Sequence, residues 1–202
     1  INILSRFYEI DSGRVLLDGV SIDSYDRSWM RKQVGVVLQD VFLFADSIYN
    51  NITLWDTTID EEAVIAAAKK IGVHKFIMSL PGGYHFNVKE RGGMLSTGQR
   101  QLIAFLRAAI IQPKILVLDE ATSSIDTYAE MLIQKATKEI TKGKTSLVIA
   151  HRLATIQRAD KIIVLDKGKI VEVGTHESLL RNEDGIYKNL YEVQFLEMAQ
   201  PA

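Results

Sequence analysis

The chain has 202 residues, 47% of them hydrophobic, and its 25 acidic side chains nearly cancel its 24 basic ones. That size and apolar share support one sizeable core with a smaller lobe attached, and the balanced charge leaves no broad positive field for a polyanion, so nucleic acid is not an expected partner. The lack of cysteine excludes disulfides and thiolate metal sites and suits a reducing compartment, and no apolar run approaches the roughly 20 residues that span a bilayer.

Ile1, Ile3, Leu4 and Phe7 recur at helical spacing with no capping residue ahead of them, which predicts a helix already under way at residue 1. Two short strands around the Asp18-Gly19 turn follow, then a helix capped by Asp26 and running through Lys32. Val34 to Leu38 reads as a buried strand ending on Gln39-Asp40. From Val41 to Met94 the pattern becomes helical: Asp60 caps Glu61 to Lys70, Gly72 stops it, and a short helix from His74 to Leu80 runs into Pro81-Gly82-Gly83. A long helix over Gln99 to Ile111 ends near Pro113. Strands at Ile115 to Leu118, Thr145 to Ile149 and Lys161 to Leu165, alternating with a helix at Thr127 to Ile140, imply a parallel, helix-covered sheet. A hairpin partner at Ile170 to Val173 and two helices, His176 to Leu180 and Ile186 to Met198, complete the chain.

The chemistry gathers at strand ends. Ile115-Leu-Val-Leu118 followed by Asp119-Glu120 describes a strand buried on both faces whose carboxylates emerge at the carboxyl edge of the sheet, where α/β proteins place ligands. Gln39 and His151 follow neighbouring strands in the same way; the other histidines, His74, His85 and His176, have no such placement. Ser96-Thr97-Gly98-Gln99 opens the long helix, and a helix amino terminus presents unpaired N–H groups and a partial positive charge that suit phosphate. Ser123, Ser124 and Asp126 form a polar loop before the next helix.

Taken in order, Gln39, Leu95 to Gln99, Ile115 to Glu120, Ser123 to Asp126 and His151 closely resemble the nucleotide-binding domain of ATP-binding cassette (ABC) transporters, and the resemblance covers essentially the whole chain. It implies an α/β fold, a P-loop NTPase (RecA-like) parallel-sheet core with antiparallel edge strands and an inserted α-helical subdomain. Residues 1–40 and 109–202 would form the core, and 41–108 the subdomain with the signature motif. It implies ATP as ligand with Mg²⁺ held by Asp119 and Gln39. Glu120 would orient the attacking water, Gln39 would reach both metal and water, and His151 would act as the switch histidine sensing the γ-phosphate. Ser96, Thr97, Gly98 and Gln99, with Ser123 and Asp126, would contact nucleotide, the signature facing the nucleotide of a second such domain.

Gln39 to Ile52 and Glu90-Arg91-Gly92 resemble the exporter branch, whose surfaces here grip short cytoplasmic helices of a membrane domain usually fused upstream. That places the expected domain at the cytoplasmic face of the cell membrane; a soluble ABC ATPase or an importer subunit without a fused membrane part is the alternative. Gly143-Lys144-Thr145 imitates a P-loop but has Lys138 where its first glycine belongs and precedes a strand, so it reads as a helix-to-strand turn. The Walker A cradle and the adenine-stacking aromatic would lie upstream of residue 1, and these residues alone would then be inactive. Thr97 stands where the usual signature has glycine, which fits either one half of a heterodimer with a degenerate site or a homodimer that tolerates threonine.

Overall fold

A computed structural model describes residues 1–120, 125–150 and 153–199. They form two compact units, Ile1–Ile149 and Ala150–Ala202.

In the first unit β1 (Leu16–Leu17) and β2 (Val20–Ser21) pair antiparallel around Asp18-Gly19. Helix α1 (Arg27–Gln33) starts where Asp26 accepts a hydrogen bond from the Trp29 N–H, and it leads into β3 (Val34–Val37). Next come α2 (Ile48–Thr53), α3 (Glu61–Ile71) and α4 (His74–Met78), α3 being stopped by Gly72 in the left-handed conformation. The long α5 (Thr97–Ile111) precedes β4 (Ile115–Glu120), α6 (Thr127–Thr141) and β5 (Thr145–Ala150). The sheet order is β3-β4-β5, with β3 parallel to β4 in the register Val34↔Ile115 to Val37↔Leu118.

Leu116, Val117 and Leu118 are buried, as a strand covered on both faces requires. Helix α5 is apolar nearly all round, burying Leu102, Ile103, Ala104, Phe105, Leu106 and Ala108, because it packs against α2, α3, α6 and β3 at once. Gly35 permits a close approach in the sheet: a Cβ there would lie 2.5 Å from Pro113 Cγ.

In the second unit, α7 (Leu153–Ile156) is followed by β6 (Ile162–Asp166) and β7 (Lys169–Gly174), a hairpin whose Lys167 and Gly168 both have positive φ, the geometry of a type I′ turn. Helix α8 (His176–Leu180) opens with a capping box from Thr175 and Ser178, and α9 (Ile186–Ala199) follows. Val164, Leu179 and Tyr187 form this unit's core, and the Glu172 carboxylate accepts from Asn182 Nδ2 and the Tyr187 N–H.

One expectation changes. Residues 1–7 form turns rather than a helix: Arg6 has φ +51°, and the Phe7 N–H reaches the Asn2 carbonyl rather than that of Ile3. The strand expected at Lys161 to Leu165 forms as β6 and pairs with the hairpin partner expected at Ile170 to Val173. The Gly143-Lys144-Thr145 stretch is the turn between α6 and β5, with Gly143 at φ +71°.

Candidate nucleotide site

The register of β3 on β4 decides what meets at the sheet's edge. Val37 pairs with Leu118, so the chain leaving β3 through exposed Leu38 and Gln39 emerges beside Asp119 and the main chain of Glu120. Asp119 is half-buried and borders a small cavity of about 10 Å³ with Val37, Gln101, Phe105, Leu118, Ile133, Thr137 and Val148. Gln101 reaches this space from α5, and its Oε1 is buried without a hydrogen-bond partner among the described residues. Ser123 and His151 lie outside the described residues.

Among the described residues no three His, Asp or Glu side chains converge in a preformed metal cage. One carboxylate and one amide oxygen at a strand edge are nevertheless hard donors suited to Mg²⁺, which keeps several waters and is completed by phosphate oxygens. Asp119 and Gln39 fit that role, and the ion would neutralise phosphate charge there.

The start of α5 is built by a reciprocal cap. The Gln99 N–H donates to Ser96 Oγ at 3.3 Å and the Ser96 N–H donates to Gln99 Oε1 at 3.0 Å, so both side chains are engaged in forming the helix start. Thr97 is exposed, and its Oγ1 accepts from Arg100 Nη2 at 3.0 Å, while Arg100 Nη1 donates to the Leu95 carbonyl at 2.8 Å. Gly98 is there for packing: a Cβ would fall 2.7 Å from Ala129 Cβ and 2.8 Å from Ile125 Cγ2. The signature helix therefore lies directly against the segment that follows β4. Asp126 caps α6, its Oδ1 accepting from the Ala129 N–H at 2.9 Å.

Of the expected residues, the structure brings Gln39 and Asp119 to one edge, together with the backbone of Glu120, and sets Ser96 to Gln99 at the start of a separate helix beside Asp126's helix. Sequence reasoning passed over Gln101, Arg100 and Arg107. A signal for Arg107 was present, a single cation ending the apolar run Leu102 to Leu106.

A parallel strand pair delivering a carboxylate and an amide to one edge, with a capped helix packed alongside, defines an α/β domain made to handle a phosphorylated ligand. Comparison with known proteins narrows that class. A family model for ABC transporters matches residues 1–123, and the chain belongs to that family. It is 50% identical over 199 residues to the putative ABC transporter ATP-binding protein exp8 of Streptococcus pneumoniae, covering 98% of this chain and 34% of that protein. It is 45% identical over 196 residues to the putative multidrug export ATP-binding/permease protein YgaD of Bacillus subtilis, covering 97% and 34%. Among solved structures it is similar to a bacterial Atm1-family ABC exporter with ATP bound, at a TM-score of 0.86 and 40% identity over 96% of this chain and 34% of that one. The chain thus spans about a third of the length of these relatives. Its fold is the α/β P-loop NTPase fold of an exporter-type ABC nucleotide-binding domain.

Proposed function

We propose that this chain is the ATP-binding and ATP-hydrolysing domain of an ABC exporter, acting at the cytoplasmic face of a membrane and paired with a second ABC domain so that nucleotide is sandwiched between them. The observation that carries this reading is the β3–β4 register, which sets Gln39 beside Asp119 and the end of β4 at one edge. Residues 1–40 and 109–202 supply the nucleotide core and 41–108 the helical subdomain. Asp119 and Gln39 hold Mg²⁺, Glu120 aims the attacking water, and His151 senses the γ-phosphate. Ser96 to Gln99 meet the nucleotide of the other domain, with Ser123 and Asp126 in the loop between. Phosphoryl transfer asks for such positioning and charge neutralisation more than for covalent help. A membrane domain fused in the same polypeptide, as the name of the Bacillus relative describes, would receive the work through the groove lined by Phe42 to Ala45, Glu90 and Arg91.

Thr97 is accommodated here: the capping box forms normally and the threonine hydroxyl is taken up by Arg100. That supports a homodimer that tolerates threonine over an asymmetric pair with one degenerate site. Full-length protein purified without another ABC chain should hydrolyse ATP at two equivalent sites per dimer; hydrolysis at one site only would favour the asymmetric pair.

In the full-length protein, Glu120→Gln should nearly abolish hydrolysis while ATP still binds and closes the dimer; turnover close to wild type would remove Glu120 from its role. The 202 residues contain no G-x-x-x-x-G-K-[ST] sequence, so by themselves they should bind Mg-ATP weakly. Micromolar affinity in calorimetry would contradict this.

A further inference from the structure

Arg107 sits in the apolar helix α5, where burial lowers its pKa, and no carboxylate pairs with it among the described residues. It spends its donors on another segment. Nε donates to the Asn51 carbonyl, Nη1 to the Phe42 carbonyl at 2.9 Å, and Nη2 to Asn51 Oδ1 at 3.1 Å. Asn51, with 0% of its surface exposed, donates through Nδ2 to the carbonyls of Phe44 and Ser47, both at 3.0 Å, and accepts the Phe44 N–H at 2.8 Å. The backbone of Phe42 and Phe44 is thereby fastened to α5 through one half-buried fork and the buried Asn51 amide.

On the outer side of this fastening lies an aromatic surface. Phe42, Phe44 and Trp55 are 56%, 41% and 48% exposed and meet edge-to-face, with centroids 5.0 and 4.8 Å apart. If Arg107 only filled space, a leucine or methionine would do so without desolvating a charge. Only a planar guanidinium spans these three acceptors together.

A second arginine lies two turns earlier on the same face of α5. Arg100 bonds Leu95 and Thr97, and its stem lies against Gly92, where a Cβ would come within 3.0 Å of Arg100 Cδ. The groove of about 560 Å³ between these segments is lined by Phe42, Leu43, Phe44 and Ala45 and by Glu90 and Arg91. Arg107 fixes the first wall, and Arg100 abuts the turn that carries the second.

We infer that Arg107 and Asn51 are positioning residues that make the aromatic groove and helix α5 one rigid body, so that a displacement of the groove wall is delivered to the Ser96–Gln99 helix start. The span is about 16 Å along the helix at 1.5 Å per residue. What presses on the groove rests on the exporter reading above; the lock itself does not.

The chain has two tryptophans, so Trp29→Phe leaves Trp55 as a single reporter on the aromatic surface. In that background Arg107→Lys, which keeps the charge but not the fork, should red-shift Trp55 emission and shift the amide resonances of Ser96 to Gln99. It should also speed exchange of the Phe44 amide by about tenfold or more. Ile103→Val, a control that lowers Tm without touching the fork, should leave all three readouts in place. If the two variants behave alike at matched Tm, Arg107 is packing only and the inference fails. Should Arg107→Lys not fold, the wild type decides: the Phe44 amide must exchange as slowly as that of Leu106 in α5, and much faster exchange overturns the lock. The exporter reading fails separately, if full-length protein in vesicles hydrolyses ATP without moving any solute while the lock readouts hold.

Discussion

Gly35→Ala tests the packing that brings the two strand ends together. Gly35 is not among the positive-φ glycines, so alanine meets no backbone strain; the cost is steric. The new Cβ would lie 2.5 Å from Pro113 Cγ and 3.3 Å from Leu116 Cδ2, and a proline ring cannot rotate aside as a flexible side chain would. Overpacking of this kind costs about 1–3 kcal/mol. Removing a glycine from a strand returns roughly 0.5–1 kcal/mol. The balance is a loss of up to about 2.5 kcal/mol, which for a chain of this length lowers Tm by up to roughly 10 °C. Thermal unfolding followed by circular dichroism measures it. Adding Pro113→Ala, which removes Cγ, should recover part of the loss if that contact is its source. A Tm for Gly35→Ala at or above wild type, or no recovery in the double variant, would refute the reasoning.

Three further outcomes follow from local chemistry. Ser96→Ala removes the oxygen that accepts the Gln99 N–H and should cost about 1 kcal/mol, a Tm loss of roughly 2–4 °C that Ser96→Asp restores; no difference between the two variants would count against the cap. Gln101→Met removes a buried oxygen that has no partner among the described residues, a group whose burial costs about 1–3 kcal/mol, so Tm should rise by a few degrees; a fall would mean that the oxygen is satisfied by water or by a group outside the described residues. Asp46 is held below the ordinary carboxylate value, first by the Ser47 N–H and then by Asn50, with burial opposing them and Trp55 adding less than burial takes away. Because its folded pKa is depressed, its stabilisation is present above the unfolded value and is lost as pH falls through the folded one. Asp46→Asn should therefore flatten the acid side of the stability profile, read from urea midpoints at about pH 6 and about pH 3; an unchanged slope would exclude Asp46 as its source.

Local stereochemistry made several elements readable from single residues. Asp26 and Asp60 cap helices with their own carboxylates, and Gly72 ends α3 through a left-handed φ. These signals act over three or four residues, so they survive without knowledge of the fold. The apolar run ending in Asp119-Glu120 likewise announced a buried strand. Helical spacing alone misled at Ile1 to Phe7, where Arg6 in the left-handed region breaks the run of helical backbone. The strand near Lys161 and its hairpin partner were both readable, because a Lys-Gly turn between two apolar runs fixes which strands pair.

The sequence by itself determined the family, the capped helices and the candidate residues, since each rests on side-chain type and short spacing. Tertiary structure alone decided the β3–β4 register that sets Gln39 beside Asp119, the burial of Gln101, and the packing of Gly98 against Ile125 and Ala129. It alone joined Arg107 to Asn51, 56 positions away in the chain. The physical reason is range: a cap or turn is satisfied by neighbours in sequence, whereas register, close approach and a guanidinium fork depend on groups that only the folded chain brings within bonding distance.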